Sequence, residues 1–480
     1  MGKIRNILLF MICTLFVGIG IFSGTEYTNV FILILILIAA NMLINQTKDA
    51  ATFSIFFLSI FLPFYAILRA FLQLKGIETL SLYVNYIRDF VIILCFIIIL
   101  MKQSNNKIIS VRNITNKKLM LGINLLLANY IIGFVISLAN GYMTLAIKGV
   151  HLNIIPILLV YIISNSSYIN EKVMEKFIKF SILIGLIVSI IGIFFYLVRP
   201  GIFGQLLLIF SQQDESNYLQ ALNYSRMVST FLSPNVFGSY MAILLLLTIH
   251  EALNNKIRSF YAIVFIVVFS VCLILSFSRG AWAFAIGGIF LLLLLSRNKF
   301  SKKQIEFATL SLFAIIAVFL VMPFINRGLD EYLLARFKSI FDFSNESSYG
   351  RSNNWLQVLE AFSNNIFGLG LGIASINLSY YPELAQKLGV NVVDGYYVKI
   401  IAETGIIGLL LFSGFLILVI HSLIKLIKKS SNERSSTYVL ITAILFGFLI
   451  QSFGSNTFDF VNISPFLWIF IGFAIKLNRL

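Results

Sequence analysis

Three arginines stand in polar stretches where an anion could be gripped. Arg226 lies in NYSRMVSTFLSPNVFGSY (residues 223–240), where Ser233-Pro234-Asn235 ends a polar segment and starts a helix with Pro in its first turn. Arg279 lies in SFSRGAWAF (276–284), a hairpin in which only Ser278, Arg279 and Gly280 separate two apolar runs. Arg351 follows Gly350 at the head of YGRSNNWLQVLEAF (349–362), whose Trp355, Leu356, Leu359 and Phe362 recur at the spacing of a helix lying on an apolar surface. A guanidinium offers a planar fork that binds phosphate oxygens two at a time, which an ammonium does not. Arg69 and Arg88 are further candidates for the same task, with Asn235, Gly350 and Trp355 in support.

Two carboxylates follow in VDGYYVKIIAETGIIGLLLF (393–412). Asp394 precedes an apolar run, so it is the expected proton acceptor; the bland alternative is a helix N-cap worth about 1 kcal/mol. Glu403 lies nine residues on, about 13 Å deeper along a continuous helix. There it is expected to pair with Lys399 one turn above and to support packing rather than chemistry. Fixed cations for a departing anion, with one carboxylate for a proton, suit a group transfer that needs no metal. Cys13, Cys95 and Cys272 sit inside apolar runs without ligand spacing, and His250, followed by Glu251, lacks the second histidine of a metalloprotease helix. No metal and no cofactor is expected.

The elements that must position these groups are membrane spans. Hydrophobic residues make up 59% of the chain and charged residues 12%, against roughly 45–50% and about 25% in soluble domains. Apolar runs fall at about 4–22, 28–45, 51–73, 85–101, 119–138, 144–163, 177–198, 234–250, 259–276, 280–296, 305–325, 396–424, 437–454 and 460–478. Each approaches the ~20 residues that cross a bilayer. The expected fold is therefore all-α and polytopic, with about fourteen transmembrane helices. Residues 1–22 read as an uncleaved first helix, and 202–210 as too short to cross. Between the eleventh and twelfth runs lies a large extracytoplasmic loop, 326–395, too long for a mere connector. Residues 1–200 form an N-terminal bundle, and 201–480 a catalytic-type region that includes the loop.

The loops alternate in charge. With a cytoplasmic N-terminus, 23 of the 36 Lys and Arg lie on the inner side, which places both termini in the cytoplasm. The net charge of +16 thus reflects topology, not nucleic-acid binding. The cations left outside are eight Arg and five Lys, whereas the inner side has six Arg and seventeen Lys. This reversal favours a phosphorylated ligand at the outer leaflet; the competing reading pairs each Arg with an outer carboxylate.

Taken in order, Arg226 with Ser-Pro-Asn (233–235), Ser278-Arg279-Gly280, Gly350-Arg351 with Trp355, Gly368-x-Gly370-x-Gly372, and Asp394-Gly-Tyr leading to Glu403-Thr-Gly405-Ile-Ile-Gly408 resemble the O-antigen polymerase and ligase superfamily. The resemblance covers about residues 220–425. It implies a multi-pass protein of the bacterial cytoplasmic membrane that transfers glycans from undecaprenyl pyrophosphate, with the bilayer and other polysaccharide export proteins as partners. The ligase branch carries His followed by Asn where Val393-Asp394-Gly395-Tyr396 stands, and none of His151, His250 and His421 lies in the large loop. The repeat-unit polymerase branch is therefore favoured. A ligase-like glycan transferase and a lipid-linked oligosaccharide transporter are the alternatives, the latter disfavoured by the lack of an internal repeat.

Overall fold

The computed structural model describes residues 49–105, 114–211, 226–296, 355–360, 366–374 and 393–479, with isolated positions 353, 383 and 386. Among these residues the fold is all-helical, with no strand. In chain order the helices are α1 (Ala50–Leu74), α2 (Glu78–Asn105), α3 (Ile114–Ala139), α4 (Met143–Gly149), α5 (Leu158–Asn165), α6 (Glu171–Val198), α7 (Gly201–Ser211), α8 (Pro234–Leu253), α9 (Ser259–Leu275), α10 (Arg279–Ser296), α11 (Tyr396–Lys429), α12 (Asn432–Gln451) and α13 (Ser464–Leu477). Nine described helical stretches are long and apolar enough to cross a membrane, and α9 and α13 are shorter apolar helices. These eleven coincide with eleven of the expected runs. The runs at 4–22, 28–45 and 305–325 lie outside the described residues, as do Gly350 and Arg351.

α8 is apolar on every side and almost wholly buried, as a helix must be when neighbours surround it. Around it pack α6, α9, α10 and α12. The short α7 does not cross; it buries Phe203, Leu206 and Leu207 in a cluster with Tyr65 and Ala66 of α1.

The connections between the spans collect at two ends. One end holds Asp49, Ser166, Glu171, Lys256, Glu433 and Arg434. There Arg434 bonds Glu171, while Lys256 bridges Glu175 and, at 3.0 Å, Glu433. Burial works against the Lys256 charge, but the hydrogen bonds to both carboxylates hold its pKa above the usual lysine value. A raised folded-state pKa gives stability that is complete below the unfolded value near 10.4 and is lost as pH rises through the folded one. The thermal stability gap between wild type and Lys256→Met should accordingly stay level from pH 7 to about 10 and close above it. The other end collects Arg226, Arg279, the glycine-rich residues 366–374, Asp394 and the connection 452–463. Reporters fused after Asn298 and Ser430 should register as cytoplasmic, and one near Asn345 as external; a cytoplasmic signal at Asn345 would put the second end on the wrong side for a lipid-linked substrate.

Two helices depart from regular geometry on the way to that second end. Between α4 and α5 the chain passes through a π-turn (Val150–Ile154) and a 3₁₀-turn (Ile155–Ile157) containing Pro156, which lacks an N–H to continue the ladder. α11 has 34 residues, about 51 Å at helical rise, well beyond a ~30 Å hydrocarbon core. It is broken at Gly405, with φ 68° and ψ −168°.

Candidate functional site

The arginine end is built on backbone contacts that the local sequence dictates. Met227 N–H donates to the Leu275 carbonyl at 2.7 Å, laying residues 226–228 along the end of α9. Ser229 and Thr230 donate to the carbonyls of Val188 and Pro63 at 2.7 and 2.6 Å, which ties the same segment to α6 and α1. Arg226 is 7% exposed. Its Nε donates to the Ser276 carbonyl at 3.0 Å, and its Nη2 to Asn235 Oδ1 at 2.9 Å in the first turn of α8. The structure thus joins Arg226 to Asn235 and seats both against the turn that carries Arg279. Arg279 is half-buried at the first position of α10, behind Ser278, whose Oγ accepts from Ala281 N–H at 3.4 Å.

Strain is concentrated here. Ser229, Leu232 and Phe277 have φ of 50°, 53° and 48°, a left-handed backbone that costs a non-glycine residue roughly 1–2 kcal/mol each. α8 and α10 both begin beside these arginines, so their free N–H groups and dipoles add positive potential at the same place.

A connection absent from the sequence reading ties this corner to the carboxylates. Gln451, at the end of α12, donates from Nε2 to Ser239 Oγ at 2.7 Å, and its Cγ lies where a Cβ on Gly280 would be 3.1 Å away. The next residues hold the start of α11: the Ser452 carbonyl accepts from Tyr396 N–H at 2.9 Å, and Asn456 Nδ2 donates to the Val393 carbonyl at 2.9 Å. Trp355 Nε1 donates to the Asp394 carbonyl at 2.6 Å. Asp394 is half-buried, and its backbone is clamped from two sides. It is not the N-cap. That position belongs to Gly395, with φ 96° and no side-chain capping bond.

Glu403 lies one turn below Lys399, as expected, with 3.3 Å between Nζ and Oε2. Lys399 also bonds Asp459 at 2.6 Å and is 1% exposed. The sequence reading missed Asp459; an acid between two apolar runs was the available signal. Glu403 Oε1 accepts from Ala374 N–H at 3.1 Å. The glycine-rich stretch 366–374 is built of turns. Its backbone is laid into the break of α11: Leu369 and Gly370 N–H donate to the carbonyls of Ala402 and Glu403 at 3.0 and 2.9 Å, and Leu371 N–H to that of Gly133 at 2.9 Å. Non-helical backbone at this depth survives only where protein partners satisfy it. A Cβ on Gly372 would stand 1.9 Å from the Leu145 carbonyl, and one on Gly405 1.9 Å from that of Ile366, so only glycine fits at either.

Arg69 and Arg88 lie apart from Arg226, among α1, α2 and α4. Arg88 is 1% exposed and fully engaged: Nη2 bonds Asp89 at 2.6 Å and the His151 carbonyl, and Nη1 donates to the Val461 carbonyl at 3.2 Å. The Asp89 carboxylate also holds the His151 ring at Nδ1. Among the described residues no group of His, Cys, Asp and Glu suited to a metal ion occurs.

Fold and site define a polytopic helical membrane protein with an arginine-lined polar end joined to a buried carboxylate cluster. Residues 263–413 match the model of the O-antigen ligase family. The match, which supports the O-antigen ligase and polymerase superfamily, spans Arg279, Arg351, Trp355, the glycine segment, Asp394 and Glu403. It does not separate the two branches. No curated protein matches the chain.

Proposed function

We propose that the protein polymerises undecaprenyl-pyrophosphate-linked oligosaccharide repeat units at the outer face of the bacterial cytoplasmic membrane. The reading rests on one observation: the O-antigen ligase match covers the Arg279 turn through Glu403, and Arg226 and Asn235 pack onto that turn at the end of the bundle where α11 starts. In the reaction, a hydroxyl of one lipid-linked glycan attacks the anomeric carbon of another. The new glycosidic C–O bond forms as the bond from that carbon to the pyrophosphate oxygen breaks, and undecaprenyl pyrophosphate leaves with the bonding pair. The hydroxyl proton passes to Asp394. Arg226, Arg279 and Arg351 neutralise the charge that develops on the leaving group, as preorganised donors do best in a site shielded from water.

Purified protein supplied with a single lipid-linked oligosaccharide tests the reading. Longer lipid-linked chains are expected. Consumption only after a distinct acceptor is added would assign the protein to the ligase branch, and movement of the lipid across the bilayer without new bonds would make it a transporter.

A further inference from the structure

Four cations lie together on α1, α2, α4 and α11: Arg69, Arg88, Lys148 and Lys399. Three carboxylates accompany them, one fewer than the cations. Asp89 holds Arg88 and His151, while Glu403 and Asp459 both hold Lys399. Arg69 and Lys148 are left without an ion pair among the described residues. Arg69 meets the Tyr65 hydroxyl, but its Nε is buried with no hydrogen-bond partner. Lys148 is exposed and lies within reach of the Asp459 carboxylate, which acts on it most among the charges, and of the Arg69 guanidinium.

Contacts along the chain join these groups. Tyr65, one turn before Arg69, donates from its hydroxyl to Asn85 Oδ1 at 2.5 Å; Asn85 is one turn before Asp89 on α2, Asp89 holds His151, and Lys148 precedes His151 by three residues. Four cations against three carboxylates leave a positive charge over in low-dielectric surroundings, and an anion beside Arg69 and Lys148 balances it. The rim is apolar: Leu68, Leu82, Tyr86 and Ile147 are 40%, 55%, 51% and 45% exposed, a surface for hydrocarbon rather than for a free ion.

We propose that this cluster on α1, α2 and α4 is a second phosphate station, which holds the phosphate group of a second lipid-linked glycan through Arg69 and Lys148. The assignment to a substrate rests on the glycan-transfer reading above, since joining two lipid-linked glycans requires two lipid phosphates to be held at once. Arg226 and Arg279 hold the departing pyrophosphate; Arg69 and Lys148 hold the carrier of the attacking glycan.

The test uses the full chain in phosphatidylcholine nanodiscs titrated with undecaprenyl phosphate, with bound lipid counted by native mass spectrometry. Wild type is expected to bind two equivalents. Arg69→Gln combined with Lys148→Gln should lose one of them by at least tenfold in affinity, and should raise KM for the lipid-linked oligosaccharide by a similar factor. The charge-keeping pair Arg69→Lys with Lys148→Arg should retain both, which separates charge loss from misfolding. Inorganic pyrophosphate at equal concentration should not displace the second equivalent; equal displacement would overturn a lipid as the ligand. Sugar transfer by the wild type together with two retained equivalents in the glutamine pair overturns the station alone. Two equivalents without any sugar transfer overturn the transfer reading, and with it the assignment of this cluster to a second substrate.

Discussion

Arg279→Lys is expected to lower glycan transfer about 10²–10³-fold, the typical loss when one preorganised donor to a developing anion is removed, while membrane insertion stays normal. Lysine keeps the charge but not the fork, and its ammonium is more strongly hydrated and less easily desolvated. Arg279 is the first residue of a helix whose start is fixed by Ser278 and by the close approach of Gly280 to Gln451. Arg226 beside it is held in place by Ser276 and Asn235. Arg279→Ala should lose at least as much. Near-normal polymer yield from both variants, measured with purified protein and one lipid-linked substrate, would remove Arg279 from the site.

Asp394→Asn should lower turnover roughly 10²–10⁴-fold, the usual worth of a general base, in a protein of normal stability. The amide cannot take a proton at neutral pH. Stability should hold because the position is fixed through its backbone: the Asp394 carbonyl receives Trp355 Nε1, and the helix is started by Gly395 without a side-chain cap. Glu403→Gln should behave in the opposite way. It removes one of two carboxylates from a Lys399 that is 1% exposed, and breaking a buried pair costs about 3 kcal/mol at the lower end of its range, with Asp459 still in place. Thermal unfolding and turnover measured on both variants separate the roles. A stable, inactive Glu403→Gln beside an active Asp394→Asn would reverse them.

The apolar runs were legible because a bilayer demands about twenty apolar residues whatever lies around them. Contact between Lys399 and Glu403 was legible for a similarly local reason, the four-residue spacing of one helical face. Asp459 and Gln451 were not: what they do depends on a connection some fifty residues along the chain returning over the start of α11, and no local spacing encodes that. The role of Gly368, Gly370 and Gly372 was hidden for the same reason: at positive φ they accommodate the backbone of α11, of α3 at Ser137 and of α4 at Leu145. The partner of Arg226 was within reach in Ser-Pro-Asn, while the separate setting of Arg88, sealed among Asp89, His151 and Val461, needed tertiary structure.

The connection after Gln451 also orders events during biogenesis. The contacts of Arg226 with Ser276 and Asn235 require only the chain up to about α9, so that corner can close early. Asp394, Tyr396 and Lys399 must wait for Asn456, Ser452 and Asp459 to be synthesised. At ordinary translation rates residue 459 follows Arg279 by roughly 9–36 s. During that interval the nascent protein holds Arg226 and Arg279 in place while Asp394 and Lys399 are not yet secured, so it can dwell in a membrane crowded with lipid phosphates before its two polar corners are joined.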